Sequence, residues 1–424
     1  MVKRSNFFAM RWWIAPAMLA ALIIVAPGLA GSPQTPAASG WVTNAAPIRT
    51  FSLWQDESAV RATSKVRWAA IARHNSVIVL NSWDYWLIPL LKRANPQVQV
   101  WMYKDLSGIR SDDCTSAGGG CGSCLHGVMD SKYLSSGMGY CWVRRYRPGW
   151  LLTAAGTKRP FEFRGYPRIW ETDYGNRAYQ RRWIRNVLAD VRARGWDGVR
   201  IDNALTTANA YGVAAKYPTD AAVQAATYSA LRTISGALHR VGIPAVFNVG
   251  YVTRFPGLWN RWLTPVDGLE QEFYLSHSQQ PNALGHAWGA YQAEVAACAA
   301  RHKTCWFHSG SYSPTVSART RVYALASFLL ATDGRQLLAV GDTAHTPRAP
   351  CRQLGRPAGP ARRTGRVWQR RFTGGIAVVN PGRFPASVSL GGTYLDRRRA
   401  AESAVTLNPA SGAVVAAPHH GACG

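Results

Sequence analysis

The sequence predicts an α/β fold, a closed (β/α)8 barrel followed by a small C-terminal antiparallel β domain. Eight short apolar runs alternate with longer stretches in which apolar residues recur three or four positions apart, the pattern of repeated βα units. After Gly341 the chain changes to short strand-like runs separated by Gly and Pro. Eight units favour a closed barrel over a doubly wound open sheet, which usually has fewer strands, and no glycine-rich dinucleotide turn is visible in the sequence.

The N-terminus has the pattern of an export signal. Basic residues precede an apolar run from Trp12 to Ala26, and small residues follow up to Gly31. We therefore predict a secreted protein with a signal peptide over residues 1–30 and a flexible leader, rich in Pro, Ala, Ser and Thr, over residues 31–46. A protein anchored in the membrane through residues 12–29 is the alternative, because that segment approaches spanning length.

The barrel is predicted over residues 47–344, with one connection much longer than the others, at about residues 106–175. Because this insertion follows the third strand, it emerges at the C-terminal face, where such barrels place their active sites. A disulfide-bonded surface segment with no role is the alternative. The predicted strands are residues 48–54, 77–82, 98–104, 198–202, 245–249, 268–273, 304–308 and 336–340.

Residues 345–424 are predicted to form a β-sandwich-like domain. Short runs of alternating apolar and polar residues lie between Gly and Pro turns in this segment. Nothing in its sequence suggests catalytic chemistry.

Eight cysteines in an exported chain favour disulfides over reactive thiols. Four of them lie in the insertion, where a structural zinc site is the alternative, although their spacing lacks two C-x-x-C pairs. The predicted disulfides lie within the insertion (Cys114, Cys121, Cys124 and Cys141), between Cys298 and Cys305, and between Cys351 and Cys423.

The net charge of +27 raises the question of a nucleic-acid partner. The basic residues are mostly Arg and are scattered rather than clustered, and no nucleic-acid-binding motif is present, so we predict no such partner. Attraction to anionic cell-wall polymers is the alternative consequence of the positive charge, and it needs no specific nucleic-acid-binding site.

The predicted fourth strand, Gly198 to Asp202, ends on a carboxylate. Because strand side chains alternate between two faces, Val199 and Ile201 face the helices, while Arg200 and Asp202 point into the barrel. Asp202 is then expected at the C-terminal mouth of the barrel.

The predicted sixth strand, within Val266 to Tyr274, has the same layout. An Asp-Gly pair is again followed by a carboxylate, here Glu272, and alternation places Glu270 and Glu272 inside the barrel, with the polar Gln271 as an exception on the outward face. Even-numbered strands share interior layers. We therefore predict a buried Arg200–Glu270 ion pair. One layer above it, Asp202 and Glu272 are expected to face each other, to open onto the cleft and to lack a basic partner like the one that Glu270 has in Arg200.

Two carboxylates that face each other at a barrel mouth suit glycoside hydrolysis, which needs one ionised and one protonated group. Asp202 lies above the positive charge of Arg200, which favours the ionised nucleophile or base. Glu272 is flanked by Phe273 and Tyr274, and this less polar setting favours the protonated acid. For each residue alone, a strand-end carboxylate that caps a helix or ties a loop is the alternative.

Residues 48–340 resemble bacterial glycoside hydrolases of hypothetical glycosyl hydrolase family 15, which are distantly similar to the polygalactosaminidase and α-galactosidase barrels. The resemblance implies a TIM barrel, carbohydrate hydrolysis and an appended β domain, with Asp202 as nucleophile or base and Glu272 as acid. Arg200, where such families often have an apolar residue, and the Cys-rich insertion are departures that leave the substrate open. The matching segments are WLLTAAG (residues 150–156), TDYGNRAYQ (residues 172–180), GWDGVRIDN (residues 195–203) and the strand of Glu272.

Other strand ends supply candidate sugar contacts, because aromatic rings stack on sugar C–H faces and polar groups bind hydroxyls. We predict a secreted, monomeric glycoside hydrolase that cleaves O-glycosidic bonds of a poly- or oligosaccharide without a metal or an organic cofactor. A non-catalytic carbohydrate-binding barrel and a basic cell-wall-associated protein are the alternatives, and both retaining and inverting hydrolysis stay open. The candidate contacts are Asp105, Asn248, Trp54, Trp83, Tyr103 and His308.

Overall fold

Eight parallel strands close into a barrel at the centre of the structure, a computed structural model that describes residues 48–113, 134–278, 280–311, 315–341, 354–396, 398 and 400–418. All eight predicted strands are present, and the predicted (β/α)8 barrel is confirmed. The predicted signal peptide, leader and membrane-anchor segment lie outside the described residues. The strands of this part of the chain are β1 (Arg49–Trp54), β2 (Val77–Asn81), β3 (Gln99–Asp105), β4 (Gly108–Arg110), β5 (Ile169–Glu171), β6 (Gly198–Asp202), β7 (Ala245–Asn248), β8 (Gly268–Gln271), β9 (Trp306–Ser309) and β10 (Leu337–Val340).

The barrel closes in the order β1-β2-β3-β6-β7-β8-β9-β10, so β6 and β8 are its fourth and sixth strands. Strand β8 ends at Gln271, earlier than predicted, and Glu272 begins the following turn. The side chain of Gln271 accepts a hydrogen bond from the backbone N–H of Phe273 at 3.2 Å. At this point the local hydrogen bond takes the place of pairing with a neighbouring strand, and the chain turns at the barrel mouth.

Helices cover the outside of the barrel, and α5 (Arg177–Arg194) illustrates why they form. The side chain of Asn176 caps its N-terminus by accepting the N–H of Ala178 at 2.8 Å, and Gly195, with φ of 73°, ends it in the left-handed region. Among the described residues, no helix has the length and apolar character needed to cross a membrane. The helices are α1 (Glu57–Ala62), α2 (Lys65–His74), α3 (Ile88–Ala94), α4 (Tyr140–Tyr146), α5 (Arg177–Arg194), α6 (Asp220–His239), α7 (Leu258–Leu263), α8 (Gly285–Ala300) and α9 (Ala318–Ala331).

The lower interior of the barrel is apolar. Large side chains from several strands fill it, and the rings of Trp101 and Trp306 lie 5.0 Å apart at their centroids. Phe51 packs on Trp306 at 4.8 Å. Because this layer is filled, polar side chains of the barrel strands collect above it, towards the C-terminal ends.

The long insertion returns to the barrel mouth through a two-stranded antiparallel ribbon of β4 and β5. The ribbon lies close over the end of β3, because a Cβ on Gly108 would lie 2.8 Å from both Asp105 Oδ2 and the Ile169 side chain. Glycine at this position therefore lets the insertion approach the strand end that carries Asp105.

A six-stranded antiparallel sheet follows the barrel, which confirms the predicted C-terminal β domain. It packs on α9: the guanidinium of Arg370 donates to the carbonyls of Leu329 and Thr332 at 3.0 and 2.8 Å. These bonds use carbonyls that a helix C-terminus leaves without intrahelical partners. The strands are β11 (Arg362–Thr364), β12 (Val367–Phe372), β13 (Gly375–Asn380), β14 (Ala386–Leu395), β15 (Ala401–Leu407) and β16 (Ser411–Ala416), in the order β11-β12-β13-β16-β14-β15.

The predicted disulfide between Cys298 and Cys305 is present and joins the end of α8 to the start of β9 across a Cα–Cα distance of 6.1 Å. Cys141 of the insertion is also disulfide-bonded. This agrees with the predicted disulfides and not with the zinc alternative, which needs Cys141 as a free thiolate. The other predicted partners, Cys114, Cys121, Cys124, Cys351 and Cys423, lie outside the described residues.

Candidate active site

A cavity of about 460 Å³ opens at the C-terminal ends of the barrel strands. Side chains at or just beyond the C-terminal ends of β1, β2, β3, β6 and β8 line it, together with side chains of the insertion. Five predicted site residues are among them: Trp83, Tyr103, Asp105, Asp202 and Glu272.

Asp202 accepts hydrogen bonds at both carboxylate oxygens. Tyr103 Oη donates to Oδ2 at 2.9 Å, and Asn248 Nδ2 donates to Oδ1 at 2.8 Å. Arg200 Nη1 lies 3.0 Å from Oδ2, and the backbone N–H of Asn203 adds a bond to Oδ1 at 2.9 Å. Burial alone would raise the pKa of Asp202, but the Arg200 charge and these bonds outweigh it and lower the pKa below its ordinary value.

The predicted buried ion pair is present below Asp202. Arg200 Nε donates to Glu270 Oε2 at 2.6 Å, and both side chains are buried. The expectation that the upper carboxylates lack a basic partner is wrong, because the same guanidinium also contacts Asp202. The N–H donors of a guanidinium point in several directions within one plane, so Arg200 can contact both Glu270 and Asp202.

Glu272 lies next to Asp202 across a shared donor. Asn248 Nδ2 donates to Glu272 Oε2 at 2.7 Å as well as to Asp202 Oδ1 at 2.8 Å. These two oxygens can therefore be no further apart than the sum of the two distances, about 5.5 Å. Burial, and then the negative charge of Asp202, raises the pKa of Glu272 to about 7.

Asp105 is a third carboxyl group in the cavity and is the register partner of Asp202 between β3 and β6. Its oxygens accept the N–H of Gly108 and the amide of Asn203, each at 2.7 Å. Burial, followed by the charge of Asp202, raises the pKa of Asp105 to about 8. Asn203 can make this contact because it adopts φ of 54°, in the left-handed region that Asn tolerates.

The other predicted sugar contacts separate into two groups. Asn248 is buried between the two carboxylates, as described above. Trp54 is 2% exposed and packs against Trp68 of α2 with ring centroids 4.5 Å apart, so it belongs to the core outside the barrel. His308 is buried and lies 2.7 Å from the carbonyl of Gly341 through Nε2. None of Asn248, Trp54 and His308 is among the residues that line the cavity, and of the three, Asn248 is joined to the lining through its hydrogen bonds to Asp202 and Glu272.

Sequence reasoning missed an aromatic wall of the cavity. Phe163 stacks on Tyr211 with centroids 4.1 Å apart and an interplanar angle of 14°, and Tyr166 meets Tyr211 edge-on at 5.6 Å. Phe163 and Tyr166 come from the insertion, so the insertion contributes directly to the cavity. Since these rings lie many residues beyond the ends of β3 and β6, the strand-end pattern could not indicate them.

Further carboxylates line the cavity on the side of β1 and the insertion. They are Asp56, Glu57, Asp112 and Asp113. Within the described residues, no group of three or more His, Cys, Asp or Glu side chains is arranged to hold a metal ion.

The sequence matches hypothetical glycosyl hydrolase family 15 over residues 92–376, more than half of the chain. No curated protein matches it. Similar solved structures include a noncanonic maltogenic α-amylase from Thermotoga neapolitana, with 11% identity, a TM-score of 0.48, and coverage of 87% of this chain and 96% of that chain.

Two further structures are similar to this chain. One is a GH27 β-L-arabinopyranosidase from Geobacillus stearothermophilus, with 10% identity, a TM-score of 0.45, and coverage of 89% of this chain and 98% of that chain. The other is Aspergillus fumigatus Ega3 in complex with galactosamine, with 11% identity, a TM-score of 0.42, and coverage of 74% of this chain and 97% of that chain.

Proposed function

The chain belongs to hypothetical glycosyl hydrolase family 15, and from this premise we propose that it is a secreted, monomeric glycoside hydrolase in which Asp202 and Glu272 cleave an O-glycosidic bond. The substrate is a poly- or oligosaccharide, and the reaction needs no metal or organic cofactor. Secretion is supported by the export-signal pattern of residues 1–30 and by the Cys298–Cys305 disulfide.

One observation carries the proposal: Asn248 Nδ2 donates to both carboxylates, while their surroundings shift the two pKa values in opposite directions. The pKa of Asp202 is lowered by Arg200 and by hydrogen bonds, against the effect of burial, whereas burial and the Asp202 charge raise that of Glu272 to about 7. Near neutral pH the pair therefore holds one ionised and one protonated group, the state that glycoside hydrolysis requires.

The hydrogen bond from Asn248 also favours one oxygen of Glu272 as the position of the proton. Because the amide Nδ2 can only donate, it requires an acceptor at Oε2. Oε1 receives no hydrogen bond within the described residues, so we place the proton of the carboxylic acid on this oxygen. Glu272 lines the cavity, so this proton is available to a leaving oxygen.

The geometry supports a retaining mechanism. Carboxyl groups about 5–5.5 Å apart are typical of retaining glycosidases, whereas inverting enzymes separate them by about 6.5–9.5 Å. The shared donor holds one oxygen of each group, Asp202 Oδ1 and Glu272 Oε2, no more than about 5.5 Å apart, and we infer retention from this short separation. Asp202 attacks the anomeric carbon as the C–O bond breaks and Glu272 protonates the leaving oxygen. Water then releases the sugar, with Glu272 as the base.

Product analysis tests this proposal. The purified protein is incubated with a panel of plant, fungal and bacterial polysaccharides, and new reducing ends and released oligosaccharides are measured. We expect hydrolysis by the wild type and loss of it in Asp202→Asn and Glu272→Gln. Glu294→Gln is the matched control, because Glu294 is buried but bonds Gln271 on the helix side of the barrel wall, at 3.0 Å.

The outcome of the panel separates this proposal from its alternatives. Binding of a glycan without new reducing ends would identify a carbohydrate-binding barrel instead of an enzyme. Binding that disappears at high ionic strength, across unrelated anionic polymers, would identify attraction through the dispersed positive charge. The anomeric form of the first product, followed by NMR, decides between retention and inversion.

A further inference from the structure

A short 3₁₀-helix, Ser82–Leu87, joins the end of β2 to α3 at the rim of the cavity. Such a helix has three residues per turn, so side chains three positions apart lie on the same side of it. The helix therefore has three faces, each formed by two side chains. These faces are Ser82 with Tyr85, Trp83 with Trp86, and Asp84 with Leu87.

The face of Asp84 and Leu87 packs into the protein. Leu87 is fully buried, and Asp84 is 3% exposed. Asn81 Nδ2 lies 3.5 Å from Asp84 Oδ2, which joins this face to the last residue of β2. Because protein interiors are closely packed, these buried side chains fix one side of the helix against the core.

The face of Ser82 and Tyr85 is held by the neighbouring elements β3 and α5. Lys104 Nζ donates to Ser82 Oγ at 2.8 Å. The guanidinium carbon of Arg194 lies 3.7 Å from the centroid of the Tyr85 ring. Two faces of the helix are thus held by the rest of the protein, and this fixes the direction of the third face.

Trp83 and Trp86 form the third face. Trp83 lines the cavity, whereas Trp86 is 52% exposed and is the one exposed tryptophan of the residues that the structure describes. One turn of a 3₁₀-helix rises about 6 Å, so Trp86 lies on the same side of the helix as Trp83, about that distance further along its axis. The aromatic surface of the cavity therefore continues past the rim.

The continuity with the cavity indicates what covers Trp86. An exposed indole ring keeps a large apolar surface in water, and the C–H face of a sugar ring can cover it. A sugar chain that is bound in the cavity and leaves it past Trp83 meets Trp86 next. Because the helix is held on two faces, the ring is in position before the sugar binds, which lowers the entropic cost of binding.

We propose that Trp86 forms a distal sugar subsite, continuous with the cavity through Trp83, that binds a sugar of the substrate chain outside the cavity. This inference rests on the proposed function and specifies its substrate class. The substrate is a chain of several sugars that reaches beyond the rim of the cavity, and its affinity increases with length until the chain covers Trp86.

Calorimetric titration of full-length Glu272→Gln tests this inference, because loss of the acid keeps the ligands intact during the measurement. The probes are cellobiose and cellohexaose, laminaribiose and laminarihexaose, maltose and maltohexaose, and xylobiose and xylohexaose. We expect at least one hexasaccharide to bind about tenfold or more tightly than its own disaccharide, because only the longer chain reaches Trp86.

Substitutions in the same Glu272→Gln protein locate the subsite. Trp86→Ala should lower the affinity for that hexasaccharide about tenfold and change the affinity for the disaccharide by less than about twofold, and Trp86→Phe, which keeps an aromatic ring, should lose less. Phe384→Ala is the matched control, because Phe384 is 64% exposed but lies between β13 and β14 of the C-terminal domain. It should leave the gain with chain length intact.

Three results overturn the inference. They are an equal loss of affinity for both chain lengths in Trp86→Ala, a gain with chain length that persists in this variant, and the absence of binding by every hexasaccharide. Light scattering tests a second copy of this chain as the occupant. A dimer that becomes a monomer in Trp86→Ala, without an effect on chain-length preference, assigns the ring to a subunit interface and also overturns the inference.

The result can be read apart from the proposed activity, because calorimetry measures binding in a protein without the acid. A chain-length preference that depends on Trp86, without hydrolysis in the polysaccharide panel, would keep the subsite and reject the enzyme. Hydrolysis of a polysaccharide, without any effect of Trp86→Ala on chain-length preference, would keep the enzyme and reject the subsite.

Discussion

Arg200 Nη1 lies 3.0 Å from Asp202 Oδ2 at the floor of the cavity. The Nε of the same guanidinium lies 2.6 Å from Glu270, so one cation joins an ion pair of the barrel interior to a carboxylate of the site. A change at Glu270 is therefore expected to affect both the stability of the barrel and the charge balance around Asp202.

The first prediction concerns the buried ion pair. Glu270→Ala leaves Arg200 buried without its closest partner, and breaking such a pair costs about 3–5 kcal/mol of unfolding free energy. We expect a value near the lower end of this range, because Asp202 remains in contact with the guanidinium. Urea denaturation followed by circular dichroism measures the change.

An exposed ion pair provides the control for this measurement. Arg61 and Glu57 lie 2.6 Å apart with 73% and 37% of their side chains exposed, and Glu57→Ala should cost less than about 1 kcal/mol. Equal stability of Glu270→Ala and the wild type would mean that the interior pair makes no net contribution.

The second prediction concerns pH. Glu272 must be protonated to act as the acid, and burial together with the Asp202 charge raises its pKa to about 7. The value of kcat/KM should therefore fall as pH rises through about 7. Asp202 must be ionised, and its pKa lies below its ordinary value, so the acid limb should appear only below about pH 4.

Asp105 is the competing explanation for a basic limb, because burial and the Asp202 charge raise its pKa to about 8. The pH profile of kcat/KM measured on Asp105→Asn shows whether Glu272 or Asp105 causes the basic limb. If Glu272 is the acid, this variant keeps the basic limb. Loss of the limb in Asp105→Asn would assign the proton to Asp105 instead.

The third prediction concerns Tyr103, which donates to Asp202 Oδ2 at 2.9 Å. Tyr103→Phe removes this bond, and a hydrogen bond to a charged group contributes about 1.5–3 kcal/mol. We expect the pKa of Asp202 to rise, which moves the acid limb of kcat/KM upwards by about one pH unit. If Tyr103 only contacts the sugar, KM would increase while the acid limb stays in place.

The sequence predicted the interior of the barrel well because strand alternation is a local rule. Placing Arg200 and Glu270 inside required only their spacing from apolar neighbours, and their contact at 2.6 Å confirms it. The outward Gln271 was an exception to that rule. It bonds Glu294 of α8 at 3.0 Å, a partner that no pattern within the strand could indicate.

Alternation could also have excluded Trp54. Phe51 faces the barrel interior, where it packs on Trp306, so Trp54, three residues later, points to the helices and meets Trp68. The aromatic wall is a different case. Phe163 reaches Tyr211 through the fold of a long insertion, and no repeating pattern in the sequence reports such a contact.

The fourth prediction concerns the cysteines. Mass mapping of the purified, non-reduced protein should identify a Cys298–Cys305 peptide, as the structure shows, and cross-links among the cysteines of the insertion. Bound zinc, or free thiols at positions 114 to 141, would contradict the disulfide prediction for the insertion. Replacing Cys298 and Cys305 with Ser removes the disulfide that closes this short loop, and it should lower the free energy of unfolding by about 2–3 kcal/mol.

The last prediction separates the roles of the two carboxylates. Once the polysaccharide panel has identified the sugar, its aryl glycoside with a leaving group that needs no protonation is compared with the natural glycan. On the glycan, both Asp202→Ala and Glu272→Ala should lose nearly all activity, since general acid catalysis alone contributes about 100- to 10,000-fold.

On the aryl glycoside the two variants should differ. Glu272→Ala should cleave it far faster than Asp202→Ala, because the leaving group replaces the function of the acid while the nucleophile remains. The basic limb near pH 7 should vanish in Glu272→Ala, since the group responsible for it is gone. Glu294→Gln should match the wild type on both substrates. An equal response of the two alanine variants to the leaving group would reject the assigned roles, and wild-type turnover of the glycan by both would place the active site away from Asp202 and Glu272.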